Sequence, residues 1–510
     1  MSVRKKKRRI SVFSVILLIV LLIIALGLAV LRPKGDPARA LNAQIMGFVP
    51  AENETLSGVD AAVAEASERC FSVEYGPFTR SLLRASGSVS VTALDAALLT
   101  EGLAGDMQAL LGERAAAAKR SAELYEADGS VKPTLCETLY ADAMQARLSH
   151  AQDYCRTTSF PVSLRFLNGE WTLENAESLY AALGTALPSR PGYAEAVAAL
   201  EPVRLHYSIA HGAPSPTPDP DCYGTTDDPQ VIAALLETDT AKRLIDGQRL
   251  DFDPNRDMLG RSIYYYLDET ILALVWQDDE HGAVGTFAEV IVADASQLRR
   301  KLADDTFGTL QYYYPSEFAV QTNAVVAGSG DFYNSGRPDY GLYVYDGQLM
   351  RSNLHSGQSC FFTDEGDMLF IYEDRFASEE EAQRFIDENH VVFSLSFGPV
   401  LIDHGEDVTP YDYPIGEVRD TYARCAVGQL GKRHYLMMTI NCESPDHYVY
   451  VTLRQAADSM IAHGCVNAYT LDGGQTGSIL IGGQLINPVQ FGVEREMSDI
   501  YYFATALPDA

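Results

Sequence analysis

The chain has 510 residues, of which 47% are hydrophobic and 21% charged, and its formal net charge is −30. The hydrophobic content argues against an intrinsically disordered protein, and the length exceeds one ordinary core, so two or three folded units are expected. Nucleic acid is a poor partner, because phosphate backbones need a basic surface and no basic run occurs after residue 9.

The N-terminus is predicted to anchor the chain in the cell membrane as a single-pass protein. Residues 1–9 carry six Lys and Arg, and residues 10–31 carry no charged side chain. An apolar helix of this length crosses the ~30 Å hydrocarbon core of a bilayer, whereas cleavable signals have apolar regions of about 7–15 residues. We therefore predict a cytoplasmic tail (1–9), a transmembrane signal-anchor helix (10–31) and extracytoplasmic domains. The alternative is a signal peptide cleaved near residues 38–40.

Residues 40–210 are predicted to form a small helical α+β module of unknown role. Apolar residues recur every three or four positions over 91–125 and 134–155, which is typical of amphipathic helices. Residues 162–173 alternate on either side of Asn168-Gly169, a two-residue hairpin signal. No set of residues in this region indicates catalysis, so a spacer or partner-docking role is expected.

The eight cysteines are scattered along the chain and form no C-x-x-C motif. Their spacing indicates neither a zinc site nor a disulfide-dense scaffold. Export permits disulfides, but the sequence leaves the pairing open against buried free thiols.

Residues 211–229, dense in Pro, Gly, Ser and Asp, are predicted to be a linker, and residues 230–508 a second domain. Helical patterns occur in this domain at 295–304, 378–389 and 453–464. The remaining apolar runs are short and predict an α+β domain with a large mixed sheet. The predicted strand regions are 262–276, 287–294, 324–328, 340–351, 367–373, 391–403, 434–441 and 447–455.

A candidate binding site follows the apolar run 468–471, at Asp472-Gly473-Gly474. Glycines let a ligand approach bare backbone, whose N–H groups can bind an anion beside the carboxylate. Gln475 and Thr476 add neutral hydrogen-bonding groups. The alternative is a simple turn, because Asp-Gly is also a common hairpin turn, as expected at Asp346-Gly347.

A second candidate site has the same character, with Gly328, Gly330 and Asp331 followed by Phe332 and Tyr333. Aromatic rings stack on sugars, and acids and amides bind sugar hydroxyls, so this mixture suits a carbohydrate. The alternative is a tight turn whose aromatic side chains pack in the core.

Three cationic or titratable side chains are further candidates. Arg424 and Arg495 could bind phosphate oxygens bidentately, and His434 could carry protons near neutral pH. For each of them the alternative is a salt bridge or, for His434, a hydrogen-bonded core histidine.

Four stretches resemble the phosphodiester glycosidase family, in the order in which that family has them. They are VVAGSGDFYNSGRPDYGLYVYDGQLMR, SFGPVLIDHGE, ARCAVGQLGKRHYLMMTIN and GCVNAYTLDGGQTGSILIGGQLIN with the later EREMSDIYYFA. The resemblance covers about 260–508. Gln475-Thr476-Gly477 stands where the family has Gly-Ser-Ser, Cys425 where it has Thr, and Ser329-Gly330-Asp331 where it has Asn/Ser-Gly-Gly/Asp.

The resemblance implies a hydrolase of sugar phosphodiesters of the N-acetylglucosamine-1-phosphodiester type. In it Asp472 is the favoured general acid/base or metal-anchoring group, Asp331 the second and His434 a reserve proton carrier. Arg424 and Arg495 would stabilise phosphodiester charge. No cofactor is certain, although an Asp beside phosphate could hold calcium or magnesium.

The predicted outward orientation makes cell-wall, capsular or exopolysaccharide material the expected substrate. The alternatives are a non-catalytic carbohydrate-binding protein on the same fold and an envelope-assembly protein in which residues 40–210 carry the function. Binding without turnover would indicate the first alternative. The oligomeric state is not predicted.

Overall fold

The computed structural model divides the chain into two compact units. The first contains residues 1–117, 124–126 and 130–203, and the second contains residues 118–123, 127–129 and 204–510. The residues that the structure describes are 17–24, 34–46, 56, 58–126, 128–175, 177–183, 187–255, 261–331, 340–413, 420–441 and 450–509.

Only a part of the predicted membrane anchor falls within the described residues. Residues 17–24 are helical, and their apolar side chains are exposed. No helix among the described residues is both long and apolar enough to cross a bilayer. The rest of the predicted span, 10–16 and 25–31, lies outside the described residues, so the anchor stays a prediction.

The first unit is an α+β module, as its sequence pattern predicts. The predicted hairpin forms, since Asn168 and Gly169 both have positive φ, at 55° and 92°. A disulfide joins Cys70 to Cys155. The five strands of its sheet are Ser72–Tyr75, Thr79–Ser81, Arg84–Leu94, Cys155–Leu167 and Glu170–Leu173. Besides residues 17–24, the helices among the described residues are Pro37–Met46, Gly58–Cys70, Ala96–Thr100, Leu103–Ala117, Pro133–Ser149, Glu177–Leu183 and Tyr193–Ala198.

The described residues of the second unit form three sheets, named here sheet 1, sheet 2 and sheet 3. Sheet 1 has nine strands, which are in spatial order Glu406–Asp407, Val400–Asp403, Asn467–Leu471, Arg424–Gly431, His434–Asn441, Ala283–Val292, Ile271–Glu280, Ile263–Leu267 and Tyr223–Thr226. Sheet 2 consists of Leu298–Leu302, Asp499–Ala504, Ala324–Ser329, Ile479–Ile481 and Gln484–Leu485. Sheet 3 consists of Gln348–Ser352, Leu342–Tyr345, Val391–Leu395, Ser359–Thr363 and Met368–Ile371.

The α+β class and the large sheet are therefore confirmed, but the sheet differs from the mixed one expected. Each strand pairing found in sheet 1 among the described residues is antiparallel. The physical reason is that tight turns join several neighbouring strands, and tight turns reverse the chain direction. The helices of this unit are Pro229–Leu236, Asp239–Ile245, Pro315–Gln321, Glu379–Glu388 and Leu453–Ala462.

Sheet 1 is buried on both faces. One face shares an apolar core with sheets 2 and 3, to which Val290, Val326 and Phe393 contribute. The other face forms a second core that includes Trp276 and helix residues such as Met460. Strand Ala283–Val292 is consequently buried at each of its ten positions, which explains its nearly continuous apolar sequence.

Two segments of the second unit differ from the predicted elements. The predicted helix 295–304 is wrong: after a short 3-10 turn, Leu298–Leu302 is a strand. Leu298, Arg300 and Leu302 are buried in alternation with partly exposed Arg299 and Lys301, which is the period of a strand.

The predicted strand 447–455 also differs, because its described part gives a bridge at Val451 and then the start of helix Leu453–Ala462. Thr452 caps that helix by accepting a hydrogen bond from the Gln455 N–H. The predicted linker, 211–229, lies within the second unit. It is held there by bonds such as Asn323 Nδ2 to the Ser215 carbonyl at 3.0 Å.

Candidate functional site

Arg424 and Asp472 come together at one end of sheet 1. Strand Arg424–Gly431 pairs with Asn467–Leu471, and Cys425 lies opposite Leu471. Asp472 follows Leu471 directly, so continuing this antiparallel register by one residue brings its backbone next to that of Arg424. The sequence predicts Arg424 and Asp472 as separate candidate residues, and the fold brings them close together.

The two glycines after Asp472 are required by the backbone. A Cβ on Gly473 would lie 2.0 Å from the Ala423 carbonyl oxygen, so only glycine lets the two chains approach this closely. Gly474 has a φ of +69°, a left-handed conformation that favours glycine. Asn441, which ends the next strand, donates from Nδ2 to the Gly474 carbonyl at 2.8 Å. The loop is therefore fixed against the ends of two strands.

Backbone carbonyls orient the guanidinium of Arg424. Its side chain is buried, Nη2 donates to the Asp420 carbonyl at 2.7 Å, and Nε donates to the Val451 carbonyl at 3.3 Å. Asp472, in contrast, is partly exposed. A fixed cation beside an accessible carboxylate is an arrangement that can bind an anion and exchange a proton with it.

A small polar cluster lies behind Asp472, where sheet 1 meets sheet 2. Ser329 Oγ lies 3.8 Å from Cys425 Sγ and accepts a hydrogen bond from the Ser478 N–H at 3.4 Å. Burial raises the pKa of the Cys425 thiol to about 12, despite its contact with Ser329, so the thiol is neutral. Thr476 is buried, and its hydroxyl has no hydrogen-bond partner among the described residues.

Asp331 belongs to a buried ion cluster. Arg300 Nη2 lies 2.9 Å from Asp331 Oδ2 and 2.5 Å from Asp499 Oδ2, and the Ser396 N–H donates to Asp331 Oδ1. Arg300 also lies 4.1 Å from the centre of the Tyr343 ring. All three charged side chains are almost completely inaccessible to solvent. Among the described residues, Arg300 and the Ser396 N–H occupy both oxygens of the Asp331 carboxylate, which fixes this turn.

The carboxylate of Asp499 explains why residue 330 is glycine. A Cβ on Gly330 would lie 2.0 Å from Asp499 Oδ2, and the Asp331 N–H donates to the same oxygen at 3.3 Å. Burial raises the pKa of Asp499, opposed by Arg300 and assisted by the charge of Asp331. Gly328 is likewise confined, because a Cβ there would lie 2.4 Å from Met437 Cε.

Gln475, one of the predicted binding residues, joins the loop after Asp472 to a second segment of the chain. Gln475 Nε2 donates to the Val493 carbonyl at 3.1 Å, which attaches the loop to the segment that carries Arg495. Arg495 itself is partly buried. Phe332 and Tyr333, the predicted sugar-stacking residues, lie outside the described residues.

His434 is not brought to this site. It begins the strand that Asn441 ends, so seven residues, or about 24 Å of extended chain, separate it from that end. Its Nε2 lies 2.7 Å from Glu289 Oε1 and both side chains are buried. The placement corresponds to the hydrogen-bonded core histidine that the sequence left open as the alternative.

Several residues near the site were missed by sequence reasoning. Tyr422 and Tyr450 form a stacked pair with ring centres 5.9 Å apart, and both are partly exposed. Tyr422 also contacts the space that a Gly474 Cβ would occupy, at 3.0 Å from its hydroxyl. The other missed residues are Arg300, Asp499 and Asn441. A charge or amide at the end of an apolar strand, as at Asp499 and Asn441, is the signal that could have found two of them.

Metal binding receives no support from a ligand cluster. Among the residues that the structure describes, no group of three or more His, Cys, Asp or Glu side chains is placed to hold an ion. Phosphate oxygens commonly complete magnesium sites in enzymes, so a metal bound together with substrate stays a prediction.

Residues 322–504 match the model of the phosphodiester glycosidase family. The resemblance predicted from the sequence is confirmed. The matched region contains Asp331, Arg424, Asp472 and Asp499 but not Arg300, which lies before it. At the level of the family the match supports a glycosidase-type hydrolase.

The individual relatives are distant. The SPbeta prophage-derived uncharacterized protein YomE of Bacillus subtilis (strain 168) is 26% identical over 197 residues, 38% of this chain and 30% of the relative. The match thus spans less than a third of that protein's length. A solved structure of zebrafish N-acetylglucosamine-1-phosphodiester alpha-N-acetylglucosaminidase, a catalytic domain auto-inhibited by its pro-peptide, is similar with a TM-score of 0.38. Its identity is 18%, and the alignment covers 47% of this chain and 84% of that one. A hypothetical protein from Synechocystis has a TM-score of 0.33 and 14% identity, and the alignment covers 46% of this chain and 62% of that one.

Proposed function

We propose that the second unit hydrolyses sugar phosphodiesters of the N-acetylglucosamine-1-phosphodiester type. The observation that carries this proposal is the neighbouring placement of Arg424 and Asp472 at the end of sheet 1, within the region that matches the family. Hydrolysis consumes one water molecule and releases a free sugar and a phosphate monoester. It requires a cation for the phosphate oxygens and a group that transfers a proton, and these two side chains supply both.

Arg424 is assigned to phosphate binding and Asp472 to proton transfer. The carbonyls of Asp420 and Val451 hold the guanidinium in one orientation before substrate arrives, which lowers the reorganisation needed in the transition state. Asp472 is favoured over Asp331, because Asp331 is enclosed with Arg300. The unpartnered hydroxyl of Thr476 is a further candidate for contact with the substrate.

Tyr422 and Tyr450 are proposed to bind the sugar. Stacked aromatic faces suit the apolar side of a pyranose ring. Gln490 Nε2 donates to the Tyr450 hydroxyl at 3.2 Å, which restrains the outer ring of the pair. The Tyr422 hydroxyl lies 3.0 Å from the position that a Gly474 Cβ would occupy, so this member of the pair is next to the Asp472 loop.

Membrane anchoring and the natural substrate are proposed on the N-terminal sequence. Six basic residues before an uncharged run of 22 favour an anchored protein whose second unit faces outward. Wall, capsular and exopolysaccharide polymers that contain sugar phosphodiesters are then the available substrates.

The test is release of free N-acetylglucosamine from an N-acetylglucosamine 1-phosphodiester by the full-length protein in detergent. Wild type should release sugar, Asp472→Asn should lose at least 100-fold in rate, and the exposed control Asp364→Asn should be unaffected. Parallel reactions with EDTA determine whether a divalent cation is required. Binding of the substrate without release of sugar would refute hydrolysis and support the carbohydrate-binding alternative.

A further inference from the structure

A cleft lies at the end of sheet 1 opposite to Asp472. It has a volume of about 670 Å³. It is lined by residues of three segments, which are 244–251, the turn 430–434 between two strands and 461–464 at the end of helix Leu453–Ala462, together with Arg204 and Val292. His434 lines this cleft, so the cleft and Asp472 are at opposite ends of the neighbouring strands, about 24 Å apart.

The cleft is cationic in a protein whose net charge is −30. Arg204, Arg249, Lys432 and Arg433 line it, and none of the four forms an ion pair with a residue in the described part of the chain. Lys432 also borders a neighbouring cavity that is lined by Glu365 and Asp367. Because these carboxylates are near Lys432, the positive charge of the cleft is attributed mainly to the three arginines. Guanidinium groups match phosphate oxygens in geometry as well as in charge.

The acids near this cleft are largely occupied by other partners. His463 Nδ1 lies 2.5 Å from Asp251 Oδ2, and Nε2 lies 3.1 Å from Glu280 Oε1. Burial lowers the pKa of His463, but its bonds to these carboxylates outweigh burial and raise it to about 9. Glu289 is bonded to His434 and to the N–H groups of Asp251 and Phe252.

Asp246 is the exposed carboxylate that remains in the lining. The side chains that face the cleft from solvent therefore carry a net positive charge, which favours an anionic ligand.

We propose that this cleft is a second, non-catalytic binding site for the phosphate groups of a polyanionic glycan. The proposal deepens the proposed function, because one polymer would be bound here and hydrolysed at the Asp472 site. A small ligand cannot occupy both ends of strand His434–Asn441, whereas a polymer can. The net charge of −30 repels such a polymer, and the cleft provides a local attraction that opposes this repulsion.

The test is binding of poly(glycerol phosphate) to the full-length protein in detergent, measured by isothermal titration calorimetry. Arg204→Glu/Arg249→Glu should raise Kd at least tenfold. The matched control Arg243→Glu/Arg384→Glu, with the same charge change at exposed positions outside the cleft, should change Kd less than twofold. Arg204→Gln/Arg249→Gln should raise Kd by a smaller factor. This variant keeps the test valid if charge reversal impairs folding, which circular dichroism would detect.

Two results would overturn the proposal. One is an equal Kd for the cleft variants and the control. The other is that poly-glutamate binds as tightly as poly(glycerol phosphate), which would indicate an acidic protein partner. Because the readout is binding, it remains decisive even if the Asp472 site releases no sugar, so failure of the proposed function is distinguished from failure of this inference.

Discussion

Replacing Gly473 with alanine tests whether close backbone contact positions Asp472. The new Cβ would lie 2.0 Å from the Ala423 oxygen and 2.7 Å from its carbonyl carbon. Ordinary contact begins at 3.4 Å, so the two chains must separate by more than 1 Å. Overpacking of this kind costs about 1–3 kcal/mol of stability. A displacement of about 1 Å between reacting groups can lower the rate roughly 100-fold.

The assay combines kcat/KM for an N-acetylglucosamine 1-phosphodiester with chemical denaturation of the same samples. Gly477→Ala is the matched control in the same loop, because its Cβ would lie 3.2 Å from Cys425 Cβ and needs only a small adjustment. It should retain most of the activity. If Gly473→Ala is as active and as stable as Gly477→Ala, the close contact does not position Asp472.

Three further predictions concern other parts of the molecule. The raised pKa of His463, about 9 against roughly 6.5 when unfolded, stabilises the fold fully below pH 6.5. This stabilisation, at most about 3 kcal/mol, should disappear as the pH rises through 9 in denaturation experiments. His463→Gln should flatten the pH dependence of the free energy of unfolding, whereas the exposed control His150→Gln should not. Removing the Cys70–Cys155 disulfide, which joins residues 85 apart, should destabilise the first unit by roughly 4–5 kcal/mol, with Cys136→Ser as a thiol control. Unchanged unfolding of the first unit after reduction would contradict this. Tyr450→Leu should raise KM about three- to tenfold with little change in kcat, whereas Tyr450→Phe, which keeps the ring, should not; equal KM values would refute sugar stacking.

Local sequence signals predicted the elements whose causes are local. The hairpins at Asn168-Gly169 and Asp346-Gly347 form because both residues of each pair accept positive φ. The helix Glu379–Glu388 forms where a serine cap precedes an amphipathic pattern, with Ser378 Oγ accepting from the Glu381 N–H.

The strand Leu298–Leu302 could not be recognised in this way. Its central residue, Arg300, is buried because Asp331 and Asp499, 31 and 199 residues away, neutralise it. In isolation, an arginine between two other cations indicates a solvated helix. Pairing over such separations depends on the tertiary fold and leaves no local pattern.

The site was predicted in its parts but not in its assembly. Arg424 and Asp472 were nominated individually, and only the strand register makes them neighbours. The glycines after Asp472 were interpreted as access for a ligand, whereas Gly473 is needed against the Ala423 carbonyl. His434 could have been placed correctly, because the turn after Gly431 brings it opposite that residue and therefore away from Arg424.

The most direct test of a joint role for Arg424 and Asp472 is a double-mutant cycle on kcat/KM for an N-acetylglucosamine 1-phosphodiester. Arg424→Ala and Asp472→Asn should each lose at least 100-fold, about 2.7 kcal/mol of transition-state stabilisation. The double variant should be within about tenfold of either single variant, because groups that act as one unit are strongly non-additive. Wild-type rates in either single variant, or losses that simply multiply in the double variant, would contradict a joint role.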